Sequence, residues 1–443
     1  MPRPESFSTH TLSHHPRGES VRRILAAAIQ AVEPGAAVSQ FIRREKNSIM
    51  VNQREYFLGD IERIRVLGLG KACAAMSQPL GGLLPFHATS GLLIPKATPV
   101  QPPSGFDLQP GGHPVPDENS LHAGEKAFAL ASDLRADDLL LCLISGGGSA
   151  LMTLPHAGIS LGDLRALTSA LLACGARVDE INTLRRHLDQ LKGGGLARFA
   201  WPARVVSLIL SDVVGNPLEA IASGITAPDP STRGDALSVL EKYDLLKKVP
   251  ASIVHALKTI PETPKPDDPL FERVQNVIVG NNARAAESAQ RQARSEGIHV
   301  VMLGDDWLGE AREVGRELSR ILKTCAAPRP FCLIAGGETT VTLRGHGRGG
   351  RNQELALASV RELAGARDLM IISLATDGED GSTDAAGAVA TGDTLQRGLD
   401  LGLPPESFLD ENDSYSYFHA LGDLLKPGAS GTNVNDLIFG FGW

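Results

Sequence analysis

Three glycine-rich loops and two cations hold most of the chemistry that the 443-residue chain could perform. Ser145-Gly146-Gly147-Gly148-Ser149 follows an apolar run and precedes a helical start at Ala150-Leu151. Three successive glycines leave backbone N–H groups open to a ligand, and two hydroxyls flank them, which suits a phosphate or carboxylate. The plainer alternative is a sharp strand-to-helix turn with no ligand. No Gly-Lys-Ser/Thr follows, so this is not a Walker A loop, and Gly-x-Ser-x-Gly, the nucleophile elbow, is absent there. Gly68-Leu69-Gly70-Lys71-Ala72-Cys73 begins like a dinucleotide fingerprint, but Cys73 stands where the third glycine belongs. Lys71 is more informative. An ammonium after a strand, at the mouth of a helix, can meet a phosphoryl group or a substrate carboxylate, and beside the positive end of a helix dipole it is best tolerated with an anion present. A solvated first-turn lysine is the alternative.

The second half contributes Gly345-His346-Gly347-Arg348-Gly349-Gly350-Arg351-Asn352-Gln353-Glu354. Guanidinium groups bind phosphate or carboxylate with two parallel hydrogen bonds, and Asn352 is a good cap for the helix that Leu355 and Leu357 continue. Acidic residues complete the set: Asp212 at a strand end, Glu338 after Gly336-Gly337, and Asp377, Asp380 and Asp384 in one short stretch. Carboxylates on strand-end loops suit Mg²⁺, which needs only one or two of them beside substrate phosphates. The Asp377–Asp384 spacing is not that of an EF-hand, and turn formation is the alternative use for these residues.

Such loops need rigid supports, and the hydrophobic pattern supplies them. Apolar residues at helical spacing from Val21 to Val32 give a first helix; Ile64–Leu69, Leu139–Ile144 and Val205–Leu210 read as buried strands, with helices at 161–174 and 178–191 between the last two. This alternation predicts a mainly parallel sheet with ligand loops at the carboxyl ends of its strands. Residues 259–269, TIPETPKPDDP, read as a linker. Beyond it the alternation restarts with strands at Val277–Gly280, Val300–Leu303, Phe331–Ala335, Thr339–Leu343 and Met370–Leu374 and helices at Leu308–Leu322 and Asn352–Leu363. The expectation is therefore α/β, with two α/β domains and mainly parallel sheets: a loose N-terminal arm over 1–20, a Rossmann-like domain over 21–258, the linker over 259–269 and a smaller domain over 270–443.

Composition excludes several classes. Lys plus Arg is 43 against 51 Asp plus Glu, with no long basic run, so nucleic acid is not an expected partner. No stretch approaches the ~18 consecutive apolar residues of a membrane helix. Five scattered cysteines, never spaced C-x-x-C, argue against a disulfide framework or zinc site and for a reducing cytoplasm. Nothing in the first twenty residues resembles a secretory signal.

Taken in order, Gly68–Ala72, Gly112–Asp117, Ser145–Leu151, Ile181–Thr183 with Arg186–Leu188 and Lys192–Gly194, Ser211–Val213, Ala222–Gly224, Gly336–Val341, Gly349–Glu354, Asp377-Gly378 with Asp384–Gly387, and Thr432–Asp436 closely resemble the class II glycerate kinases, whose C-terminal part is the MOFRL region, about 330–440 here. The resemblance runs from about residue 20 to the C-terminus. It implies ATP-dependent, Mg²⁺-assisted phosphorylation of D-glycerate at the 2-hydroxyl in an interdomain cleft. It implies Lys71 and Arg351 as the phosphoryl-handling cations; from the residues themselves, Asp212 is the third catalytic candidate, to accept the hydroxyl proton. Ser145, Gly146, Gly147, Gly148, Ser149 and Lys192 would bind the nucleotide phosphates, Lys71, Arg351 and Asn352 the substrate, and Asp212, Glu338 and Asp377 the metal. One departure stands out: Asn216 replaces an aspartate common after Ser-Asp-Val-x-Gly. Relatives have also been labelled hydroxypyruvate reductases, so an NAD(P)H-dependent reductase is the alternative, although the fingerprint it would need is missing. A homo-oligomer stays open.

Overall fold

The computed structural model describes residues 2–85, 89–98 and 103–443, which form two compact units. One contains Pro34–Ser211 and Asn216–Val279; the other joins the N-terminal segment through Glu33, Asp212–Gly215 and Gly280–Trp443.

The first unit is built on a six-stranded sheet in the order Phe106–Leu108, Thr89–Ile94, Ile64–Leu69, Leu139–Ile144, Arg204–Leu210 and Val274–Gly280. The first five strands pair in parallel, as expected. Leu139–Ile144 is buried at every position, the unbroken apolar pattern of a parallel strand covered on both faces. Register matters for the site. Leu69 lies opposite Ile144, so the loops that follow these two strands leave the sheet side by side. A three-stranded antiparallel sheet, Ile42–Arg44, Ser48–Val51 and Arg54–Phe57, belongs to the same unit. So does a helical layer. Its helices Leu161–Ala173, Val178–Leu188, Arg233–Lys242 and Ala251–Thr259 share a core that includes Leu167, Leu184, Leu240 and Ile253. Ser160 and Thr232 cap two of them, each accepting a hydrogen bond from the N–H three residues on.

The domain boundary differs from the expected one. The proline-rich segment 259–269 lies inside the first unit: Thr263 donates to Asp229, and the Pro264 carbonyl accepts from the Asp229 N–H. After it the chain adds the sixth strand of the same sheet. Asn276 exchanges hydrogen bonds with Thr226, and Gln275 accepts from Tyr56. Prolines here brace a packed surface crossing and do not mark a hinge.

The N-terminal arm is also more ordered than expected. Phe7 and Leu12 are buried, Thr9 caps a helix at His10–His14, and the Thr11 N–H and hydroxyl both donate to buried Asp423. Two apolar residues five apart are too few to register as periodicity. They suffice to dock the arm on the second unit.

That unit carries a seven-stranded mixed sheet, His299–Met302, Phe331–Thr340, Asp436–Gly442, Leu369–Ala375, Gly387–Thr391 and Leu424–Leu425 in order, with Trp307–Glu310 also on Phe331–Thr340. Only His299–Met302 and Trp307–Glu310 pair in parallel with their neighbour. The C-terminal strand slots between Phe331–Thr340 and Leu369–Ala375, antiparallel to both, which makes this sheet mostly antiparallel where a parallel one was expected. The two strands predicted at 331–335 and 339–343 are one, Phe331–Thr340, running through Gly336-Gly337. A Cβ at Gly337 would lie 2.0 Å from the Trp307 carbonyl oxygen, so glycine there permits close strand approach and does not signal a turn. Helices Ala311–Thr324 and Arg351–Leu363 cover one face. Among the described residues no helix is long and apolar enough to cross a membrane.

Candidate active site

In the first unit the two strand-end loops are stitched together around Lys71. Gly70 has φ of +116°, and a Cβ on it would lie 2.3 Å from the Ser145 carbonyl oxygen, so only glycine lets the chains meet here. The Lys71 N–H donates to the Gly146 carbonyl at 3.0 Å, and the Ala72 N–H donates to the Ser145 hydroxyl at 3.0 Å. The backbone of Lys71 is thereby fixed, while its side chain is exposed and has no hydrogen bond or ion pair with any described residue. Its stem passes Gly147, where a Cβ would sit 3.5 Å from Lys71 Cγ and 3.1 Å from the ring of His113. Burial, and then the charges of Lys71 and Lys96, lower the pKa of His113, so its imidazole is neutral near pH 7. A free ammonium, a neutral imidazole and a glycine turn at φ +85° share one small patch.

Ser149 hydrogen-bonds Ser223 at 2.7 Å. Ala222, Ser223 and Gly224 all have positive φ, 49°, 57° and 63°. Two successive non-glycine residues in that region store backbone strain, which persists because the surroundings hold it. The Ser223 and Gly224 carbonyls accept from the Gly193 and Gly194 N–H groups. Asn216, the departure noted above, has φ of 54°, a conformation that asparagine and aspartate both tolerate, so the exchange costs the backbone little.

Lys192 sits differently from the expectation of a phosphate ligand. It is buried, and its ammonium donates to Asp189 at 2.5 Å and to the Met152 carbonyl at 3.0 Å. Burial alone would raise the Asp189 pKa, but Lys192 and the hydrogen bonds from Thr153 and Leu191 bring it below its usual range. Burial pulls Lys192 down against the opposing pull of Asp189. Lys192→Met should therefore lower stability by about 3–5 kcal/mol in urea denaturation, because it strands a buried carboxylate; a loss below about 1 kcal/mol would show that the pair does not brace this loop.

In the second unit Arg351 opens the helix Arg351–Leu363. Its Nε and Nη2 donate to the two carboxylate oxygens of Asp436, at 2.5 and 3.2 Å, and its Nη1 donates to Glu338 at 2.8 Å. Asp436 is buried at the start of the C-terminal strand. Burial pushes its pKa up to about 7 against the pull of Arg351. Asp380 accepts from the Asn352 and Gln353 N–H groups, at 3.2 and 2.9 Å, a carboxylate compensating a helix start. Asn352, expected to touch substrate, is buried, with its side chain between Asp380 and Ser373. Arg348 lies over the Tyr415 ring at 4.4 Å. The acidic stretch serves local structure at several points: Asp377 accepts from the Glu379 N–H, and Asp384 pairs with Tyr415 and Lys426.

Among the described residues no cluster of three or more His, Cys, Asp or Glu side chains is arranged to hold a metal. Glu338, the one proposed metal ligand whose ion pair is resolved, pairs with Arg351. Asp212 lies just beyond the strand Arg204–Leu210 and clusters with the second unit, as Glu338 and Asp377 do. His113, Ser223 and Asp436 escaped the residue-level reading, and Asp380 was singled out there only as one of a group of carboxylates suited to Mg²⁺. His113, Ser223 and Asp436 stood inside quoted motifs, and Asp380 in the acidic stretch, but none is adjacent in sequence to the group it supports.

Residues 20–258 match a domain of unknown function (DUF4147), and residues 331–436 match the MOFRL family. The chain is 38% identical over 423 residues to a protein of Thermotoga maritima named D-glycerate 2-kinase, covering 94% of this chain and 96% of that one. A protein of Agrobacterium vitis named putative hydroxypyruvate reductase is 39% identical, with 94% and 92% covered. A crystal structure of glycerate kinase from Thermotoga maritima superposes with a TM-score of 0.86 at 37% identity, covering 96% of this chain and 99% of that one.

Proposed function

The chain belongs to the MOFRL-containing glycerate kinase family, and we propose that it transfers the γ-phosphoryl group of ATP to the 2-hydroxyl of D-glycerate, giving 2-phosphoglycerate and ADP. The observation that carries this reading is the Lys71 ammonium, which has no partner among the described residues and whose backbone is fixed beside the amide-lined Gly146–Ser149 loop. Phosphoryl transfer needs positioning and charge neutralisation more than covalent help from the protein. In this reading the triphosphate lies along Gly146–Ser149, and Lys71 meets the γ-phosphate. Arg351 binds the glycerate carboxylate. The 2-hydroxyl oxygen attacks phosphorus in line, the bond to the ADP oxygen breaks, and Asp212 accepts the hydroxyl proton. Lys192 holds Asp189 and the Met152 carbonyl in the segment that follows the phosphate loop, and Asn352 holds Asp380, whose charge acts on Arg351.

Mg²⁺ would neutralise charge shared between the β- and γ-phosphates. Glu338, Asp212 and Asp377 offer hard oxygen donors, and one or two carboxylates suffice when phosphates complete the shell. The small number of protein donors fits an ion that arrives with the nucleotide.

The experiment is direct. Purified protein with ATP, Mg²⁺ and D-glycerate should release ADP in a coupled assay and yield 2-phosphoglycerate by ³¹P NMR. 3-Phosphoglycerate would overturn the regiochemistry, and no ADP release would overturn the kinase. The Agrobacterium vitis relative's name favours a second reading, reduction of hydroxypyruvate by NAD(P)H. Consumption of NADH with hydroxypyruvate and no ATP would establish it.

A further inference from the structure

Within the first unit, between the helices Leu161–Ala173 and Val178–Leu188, lies a cavity of about 290 Å³ whose lining includes Ser149 and Ala150. Leu167, Leu171, Leu184 and Leu188 wall it, and Arg185 lines it. Charge inside it is unevenly satisfied. Lys192 and Asp189 pair with each other, and Arg165 donates to the Pro116 carbonyl. The next residue, Arg186, is saturated by Asp229, Thr183 and Ser231. Arg185 has no hydrogen bond or ion pair with any described residue, although it is mostly withdrawn from water. Burial lowers its pKa, and no neighbouring carboxylate offsets that.

From this geometry we infer that the cavity takes the purine base of the donor nucleotide, an assignment that rests on the kinase reading above. A flat heteroaromatic ring satisfies both features of the cavity. Its faces pack against leucine walls, and its π system and ring nitrogens accept a guanidinium that has no partner among the described residues. At about 290 Å³ the space is close to the ~300 Å³ at which pockets for small organic ligands begin, and it is too large and too apolar for a three-carbon acid. Ser149, the last residue of the glycine loop, and Ala150, which follows it, both line the cavity, so a phosphate chain on that loop ends beside the cavity.

Two variants test it. Arg185→Gln removes the cation, and Thr168→Trp, at a half-exposed lining position, fills the space. Calorimetry should show ATP and adenosine each binding at least about 10-fold more weakly to either variant. The KM for ATP should rise in step, with the KM for D-glycerate within about 2-fold of wild type. Circular dichroism identifies a variant that fails to fold; if Thr168→Trp does, Arg185→Gln decides. Folded variants that bind ATP and adenosine as the wild type does would overturn the assignment, as would a rise in the glycerate KM alone or a wild type that binds neither ligand. Nucleotide binding that depends on Arg185 without glycerate phosphorylation would sink the kinase reading and leave the base site standing. Glycerate phosphorylation with unaltered ATP affinity in both variants would do the reverse.

Discussion

Replacing Lys71 with alanine is expected to leave a folded protein whose kcat for glycerate phosphorylation falls by about 10²-fold or more. The size follows from what Lys71 does not do. It holds no ion pair with described residues, so its removal strands no buried partner, and the melting temperature should move little. Its backbone bond to Gly146 does not involve the side chain and survives the change. The loss should therefore fall on charge stabilisation in the transition state. Lys71→Arg should recover part of the rate, because a planar guanidinium keeps the charge but not the compact geometry of an ammonium. Steady-state kinetics with a melting curve checks this: undiminished kcat in Lys71→Ala would remove the residue from the mechanism.

Arg351→Ala should lower kcat by about 10²-fold or more as well, but with a stability cost that depends on pH. Arg351 is the partner of a buried carboxylate. In the folded wild type, burial holds the Asp436 pKa at about 7, above its unfolded value of about 4. The folded state thus binds more protons than the unfolded state between those values, and stability falls as pH rises through that range. Without Arg351 the Asp436 pKa climbs further, since Glu338 and Asp380 lie in the same cluster. The variant should match wild type most closely near pH 4 and lose up to about 3–5 kcal/mol relative to it above pH 7. Adding Asp436→Asn should flatten that slope without restoring activity. Urea denaturation at pH 5 and pH 8 measures both effects, and a pH-independent difference would show that Asp436 is not the group left uncompensated.

Much of the first unit was legible in the sequence because its central strands are mostly apolar, Leu139–Ile144 without a break, and two of them run into glycine-containing loops. Ile64–Leu69 and Leu139–Ile144 have the expected bounds, and their loops carry the expected groups. Lys71 and Arg351 stand out in the sequence because a cation at the positive end of a helix is best tolerated with an anion present. Legibility failed where neighbours far apart in sequence decide. The proline-rich segment looks like a linker until Thr263 and Pro264 meet Asp229. The C-terminal strand reads as one more apolar run, and its insertion between two earlier strands, which reverses the sheet's sense, has no local signal. Lys192 and Asn352 were assigned to ligands by their motifs, yet buried polar groups must find partners, and Asp189 and Asp380 supply them. The same rule brings Asp436 to Arg351 across 85 residues.

A crystal structure with a non-hydrolysable ATP analogue and D-glycerate would test the central claim most directly. The triphosphate should lie along Gly146–Ser149, with the Lys71 ammonium about 3 Å from a γ-phosphate oxygen and the Arg351 guanidinium turned to the same phosphate or to the glycerate carboxylate. A triphosphate bound away from that loop, with Lys71 in solvent and Arg351 still closed on Asp436 and Glu338, would contradict it.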